Sequence, residues 1–262
     1  MTPANVFQLE LAAAMAGRRT LAARLGLPML LGLPFTLGGM PAGVKAAGLV
    51  MLVLFVSFFG AAVATVRRRE DGRLDRLRLL PIPAWLVRLD LLLAGAAVDV
   101  LQLAGVFILF MLINASQVTA AGLLTLAGGL AAVVVLLNLA GMLLASALRN
   151  NPEVHLAGAL AVGLLAFVSG VFPVPARLAG WIETIAPWNP VARLSAALRG
   201  VAEGAAAPDA ASVIVSGAVI LVLVAAVLTR MCGRRANDNT AANGAAVAPG
   251  AAGAETRRAR QC

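Results

Sequence analysis

Charge is scarce in this chain. Only 13% of its 262 residues are Asp, Glu, Lys or Arg, about half the share found in an ordinary soluble domain. Against that, 61% are hydrophobic and the mean hydropathy is +0.91. A soluble core cannot absorb so much apolar surface, which excludes a soluble globular protein. Histidine occurs once, as His155, and cysteine twice, as Cys232 and Cys262. They leave no His, Cys or carboxylate cluster with metal-ligand spacing. The cysteines form neither a CxxC pair nor a CaaX ending and are expected to be inert thiols on a reducing side. Ser57 and Ser169 have no neighbouring base, which argues for helix packing rather than nucleophilic chemistry. His155, one turn into an apolar run, is expected to be a packing residue. A phosphate-cradling loop is missing as well: Gly38 and Gly43 have the right separation, but Val44 stands where lysine is needed.

Long apolar runs fill the space left by these absences. Several approach or exceed the roughly 20 residues that a helix needs to cross ~30 Å of hydrocarbon. They are continuous, without period-two alternation, so a β-barrel is excluded and an all-α polytopic membrane protein is expected. Six spans are expected: residues 25–39 (short and interrupted by Pro28 and Pro34), 44–66, 89–113, 120–148, 153–172 and 211–229. Before them, residues 1–24 form an N-terminal interfacial helix with Phe7, Leu11 and Met15 at four-residue steps. Arg18-Arg19 leads into further spans rather than to a cleavage site, so no removed signal is expected. In "RNNPE", Asn151 is placed to cap the fifth span, with Pro152 and Glu153 in its first turn. Residues 173–209 are too polar and proline-broken to span; Trp181 and Trp188 suit a membrane interface, and one or two short surface helices are expected there. The tail, 231–262, has little bulky apolar content and is expected to be disordered.

The net charge of +9 lies between the apolar runs rather than along one soluble stripe, so no nucleic-acid partner is implied. With both termini cytoplasmic, seventeen Lys and Arg fall on the inner side and four (Lys45, Arg177, Arg193, Arg199) on the outer. That bias favours six spans with both ends inside. It also puts the charged island "RRREDGRLDRLRLLPIP", Arg67 to Pro83, in the cytoplasm. Leu74, Leu77 and Leu80 recur at three-residue steps along it, and Pro81 and Pro83 stop the helix they would form. A two-turn amphipathic helix against the inner membrane surface is expected. Within the spans, Asp99 sits near mid-depth and Asp90 nearer the cytoplasmic end of the third span. A carboxylate at that depth is by default a functional candidate. Asp99, with Gln102 and Asn138, either lines a translocation path or is a paired structural residue.

The island resembles the first cytoplasmic loop of permeases of the type-2 class of ABC exporters, in which an acidic run, a glycine, a leucine-bearing helix and a proline follow the second span. A second segment agrees: "SGVFPVPARLAGWIETIAPWNPVARLSAALRG", Ser169 to Gly200, is similar to the Ser-Gly, Phe-Pro and later Pro motifs of those permeases between spans five and six. The resemblance covers the chain to about Arg230. It implies a six-span permease domain over 25–230, with a cytoplasmic coupling loop at 67–88 and an outer re-entrant helical hairpin at 173–209, in the inner (plasma) membrane of a bacterial-type cell. It implies a separate ABC ATPase subunit that binds ATP and Mg, no cofactor in this chain, and a dimer with a second copy or paralogue. Glu70, Asp71, Arg73, Asp75, Arg76 and Leu77 would form the ATPase-coupling surface. The loop is richer in arginine than the pattern leads one to expect, which fits an acidic partner or anionic lipid. The competing expectation is a proton-coupled secondary transporter using Asp99 and Asp90. Substrate identity, such as a drug or a lipid-linked glycan, is not legible.

Overall fold

The computed structural model describes residues 5–79, 81–114, 118–148, 150–172 and 176–204, and among these every regular element is a helix. The expected sixth span, the tail with both cysteines, Leu80, Pro173 and Pro175 lie outside the described residues. The sequences of the helices explain both where they run and where they stop.

Helix α1, Val6–Met15, opens on Asn5, whose Oδ1 accepts the Gln8 N–H at 2.9 Å, satisfying one orphan donor of the first turn. It is shorter than expected. The helix breaks at Gly17, and Arg18 to Arg24 begin the next one, α2, Arg18–Leu37. Val6 and Glu10 form the buried side of α1, with Phe7 and Leu11 beside them and Met15 exposed.

Pro28 and Pro34 do not interrupt α2, a difference from expectation. Proline is tolerated in membrane helices because neighbouring groups can re-satisfy the freed backbone. Here α2 is also held tightly to a partner. A Cβ on Gly32 would lie 2.7 Å from the Val106 methyls, and one on Gly105 would lie 3.1 Å from Met29 Sδ. Each helix thus offers a glycine to a large side chain of the other.

The second span is one helical rod of 29 residues, Ala42–Glu70, in three parts: α3, Ala42–Val53; a π-helical segment, Leu54–Phe59; and α4, Gly60–Glu70. Helix α5, Arg73–Arg78, follows a turn. Then come α6, Ala84–Asn114, α7, Ala120–Ala147, and α8, Asn151–Val168. Among the described residues, four helices, the rod and α6 to α8, are long and apolar enough to cross a membrane. The apolar part of α2, Leu21–Leu37, is about 25 Å long at 1.5 Å per residue, at the low end for a span. Helix α8 is flanked by Asn150 rather than capped by Asn151; the Asn150 amide donates to Glu153 Oε1 at 3.1 Å.

The main core joins α3 and the π segment to α6, α7, α8 and α10, Pro190–Ala202, through Leu49, Val50, Val53, Leu103, Val106, Phe110, Val133, Val162 and Leu194. Two crossings are set by glycine. At Gly141 of α7 a Cβ would collide with the Phe58 carbonyl oxygen in the π segment and lie 3.1 Å from Ala62 N. One turn on, Ala145 packs with Ala62, Val66 and Val154, so this small-xxx-small pair seats a helix of the same chain. At Gly158 of α8 a Cβ would be 2.9 Å from the Phe59 ring, which also meets the His155 ring at a tilt, with centroids 5.4 Å apart. The sole histidine therefore makes a packing contact.

Candidate functional site

The charged island is two helix ends joined by a two-residue turn, Asp71–Gly72. Arg67, Arg68, Arg69 and Glu70 form the last turn of α4, so the spanning rod runs straight into the charged run. Basic residues there complement the negative end of the helix dipole. Gly72 then takes φ 65°, ψ 11°, with its N–H bonded to the Arg69 carbonyl at 3.1 Å. This left-handed conformation ends a helix at little cost only in glycine. The six-residue α5 starts immediately after it, giving a tight elbow.

Three arginines lock the elbow to the bundle. Arg68 and Arg73 each reach Glu10 on α1, at 3.0 Å to Oε2 and Oε1 respectively. Glu10 is only 7% exposed, Arg68 18% and Arg73 46%. Arg69 turns the other way: its Nη1 donates to the Leu148 carbonyl at 2.9 Å and the Ala145 carbonyl at 3.3 Å, satisfying groups at the C-terminal end of α7. Leu74 and Leu77 complete the fit by packing on Val6 of α1 and on Val87 and Leu91 of α6. Glu70, Asp71, Asp75 and Arg76 are exposed, as is Leu79, at 84%. Of the residues singled out from the sequence, Arg73 and Leu77 thus make contacts inside the bundle, and the other four lie on the exposed side.

Glu10 escaped sequence reasoning. A lone acid in a surface helix looks solvated, and its partners lie 58 and 63 residues away. Its only signal is register: Glu10 falls four residues after Val6, on the side that α1 turns to the protein.

The intramembrane polar residues meet each other. Asp99 on α6 and Asn138 on α7 are both buried, and Asn138 Nδ2 donates to Asp99 Oδ2 at 2.7 Å and to the Val134 carbonyl at 3.1 Å. Gly95 leaves room for this amide, since a Cβ there would be 3.0 Å from Asn138 Oδ1. The pair joins two helices through their apolar contact. Gln102, one turn along α6, and Asp90, near its start, are half-buried. None of Asp99, Gln102 and Asn138 lines the groove between α2 and α3 or the one between α6 and α7. Among the described residues, no three His, Cys, Asp or Glu side chains are grouped to hold a metal ion.

At the far end of the bundle, the two halves of the second motif segment are joined. Ser169, buried just past α8, accepts a hydrogen bond at 3.0 Å from Asn189 Nδ2. The Asn189 Oδ1 caps α10, Pro190–Ala202, by accepting from Val191 and Ala192. Between them α9, Ala176–Ile185, and a 3₁₀ turn, Ala186–Trp188, carry the exposed Trp181 and Trp188. Helix α10 packs back on α3 and α7. Nearby, Lys45 Nζ donates to Asn114 Oδ1 at 3.1 Å.

Long apolar helices, a charged elbow keyed to one end and a helical hairpin tied down at the other define a multi-pass helical membrane protein. Residues 10–202 match the ABC-2 type transporter family, and the chain belongs to that family. It is therefore a permease of the type-2 ABC transporter class, a membrane transport subunit of a kind that normally works with an ABC ATPase. No curated protein and no solved structure matches the chain.

Proposed function

We propose that this permease is half of an ATP-driven exporter, paired with a second copy or paralogue, and that an ABC ATPase seats on the exposed side of the α4–α5 elbow. The observation that carries this reading is the division of labour in the elbow. One side is fixed to α1, α6 and α7 through Glu10, Leu74, Leu77 and the α7 terminal carbonyls, while Glu70, Asp71, Arg76 and Leu79 face away from the protein. A force applied to the exposed side would reach three helices at once. ATP with Mg would be bound by the partner, whose closure would bias the permease between two global states. Cargo would leave the cytoplasm, and a drug or a lipid-linked glycan is within the reach of such a path.

The test is co-purification of the tagged full chain with its ABC ATPase. Asp71→Arg and Arg76→Glu should each release the ATPase and abolish transport-linked ATP hydrolysis, while Arg67→Gln leaves both intact. Transport by the purified permease in vesicles without any ATPase would overturn the reading.

A further inference from the structure

A groove on the side of the bundle opposite to the elbow has a chemistry that the coupling reading does not use. It measures about 690 Å³ and runs down one stripe of α3 and the π segment, from Gly43 to Phe55, with α2 and the residues after α8 as its walls. Twelve residues at 1.5 Å each make it about 18 Å long, close to the ~15 Å of one leaflet of hydrocarbon. Its floor is built from small residues. Gly43, Ala47 and Gly48 follow one face of α3, and the Phe35 ring lies so close over Gly48 that any side chain there would strike it. Below them Met51, Leu52 and Phe55 continue the same stripe. Among the described residues all the other lining side chains are apolar, with a single exception at the mouth.

That exception is Arg199 of α10. Its guanidinium lies along Gly43, where a Cβ would be 3.6 Å from Nε. Among the described residues no carboxylate is within salt-bridge distance of it. Lys45, another cation at this end of the bundle, does not line the groove and points its ammonium to Asn114 on α6. One guanidinium thus stands over a slot of single-leaflet depth. Guanidinium binds phosphate oxygens bidentately, and basic pockets between membrane helices bind anionic headgroups.

We infer that the groove formed by α2, α3 and α10 holds an anionic phospholipid of the leaflet opposite the elbow, its phosphate on Arg199 and one acyl chain along Gly43, Ala47 and Met51. A neutral amphiphile would fill the slot but leave the cation unmatched. The site is independent of the ATPase, because none of its residues belongs to the elbow.

The experiment uses the full-length permease, without ATPase, in nanodiscs of equal phosphatidylglycerol and phosphatidylcholine. The chain is then extracted in mild detergent, and the lipid that stays bound is counted by native mass spectrometry. Phosphatidylglycerol should be retained over phosphatidylcholine, and Arg199→Gln should reduce that preference about fivefold, the effect of one basic residue near a headgroup. Lys45→Gln should leave it unchanged. Ala47→Phe, which fills the slot and keeps the cation, should displace both lipids, and melting temperature would confirm that each variant is folded. Equal retention of the two lipids, wild-type preference in Arg199→Gln, or a slot covered by a second copy in cysteine cross-linking from position 47 would overturn the inference.

Discussion

Glu10 and Asp99 are the two buried carboxylates among the described residues, and their settings differ. Glu10 faces two guanidiniums at 3.0 Å, so neutralising it strands two positive groups beside each other. Glu10→Gln should destabilise the protein by about 2 kcal/mol, less than the ~3–5 of a fully buried pair because Arg73 is half in solvent. Thermal unfolding in detergent measures this, and Glu10→Gln combined with Arg68→Gln should cost less than the sum of the two. Asp99 needs only an acceptor for Asn138. Asp99→Asn should therefore be nearly neutral, whereas Asp99→Leu leaves the Asn138 amide one acceptor short and should cost about 1 kcal/mol, within the range for hydrogen bonds between membrane helices. Asp99 was legible in the sequence because a carboxylate in an apolar run stands out. The sequence leaves an arginine, Gln102 and Asn138 open as its partner, and only the crossing of α6 and α7 selects Asn138.

At the level of the helices, hydropathy located the long spans well, since about 20 apolar residues leave few alternatives. It missed how they meet. Gly141 and Gly158 look alike in a chain with 26 glycines, yet one faces backbone and the other a ring. A carbonyl cannot rotate aside; a phenyl ring can. Gly141→Val should cost about 1–3 kcal/mol, as overpacking does, and Gly158→Ala less than about 1, both read from the melting temperature. The break at Gly17 and the continuity of α2 through Pro28 and Pro34 were also hidden. Proline and glycine signal a possible interruption, and whether one occurs depends on what packs against the site, here the paired glycine contacts between α2 and α6.

For the molecule as a whole, charge patterning bears on which end of the bundle faces which side of the membrane. The elbow and the paired ends of α7 and α8 lie at one end of the bundle, with Lys45, Asn114 and Ser169 at the other. The bias of Lys and Arg predicts that the elbow end faces the cytoplasm. In a background with Cys232 and Cys262 replaced by serine, a cysteine at Asp71 should react with a membrane-impermeant maleimide only in inverted vesicles, and one at Gly39 only in intact cells. The reverse pattern would turn the whole arrangement over. Long-range pairings such as Glu10 with Arg68 and Arg73 were illegible at this scale too, because no local pattern encodes which helix folds back on which.

The π segment has a consequence for phase. Along α3 the buried stripe runs Ala46, Leu49, Val50, Val53; it continues through the wide turn of the π segment as Leu54, Ser57 and Phe58, and on α4 as Ala61, Ala62 and Val66. Ser57, within that wide turn, is buried, and no described group accepts its hydroxyl. Wound as a regular helix with every residue kept, the rod would turn everything beyond Phe59 by about 100° and advance it by about 1.5 Å. Arg68 would then leave Glu10, and Arg69 the end of α7. The elbow keeps its grip only while one residue stays out of step. Deleting a single residue from 54–59 should accordingly preserve the Glu10 contacts and the melting temperature, whereas inserting an alanine after Val63 should lose both.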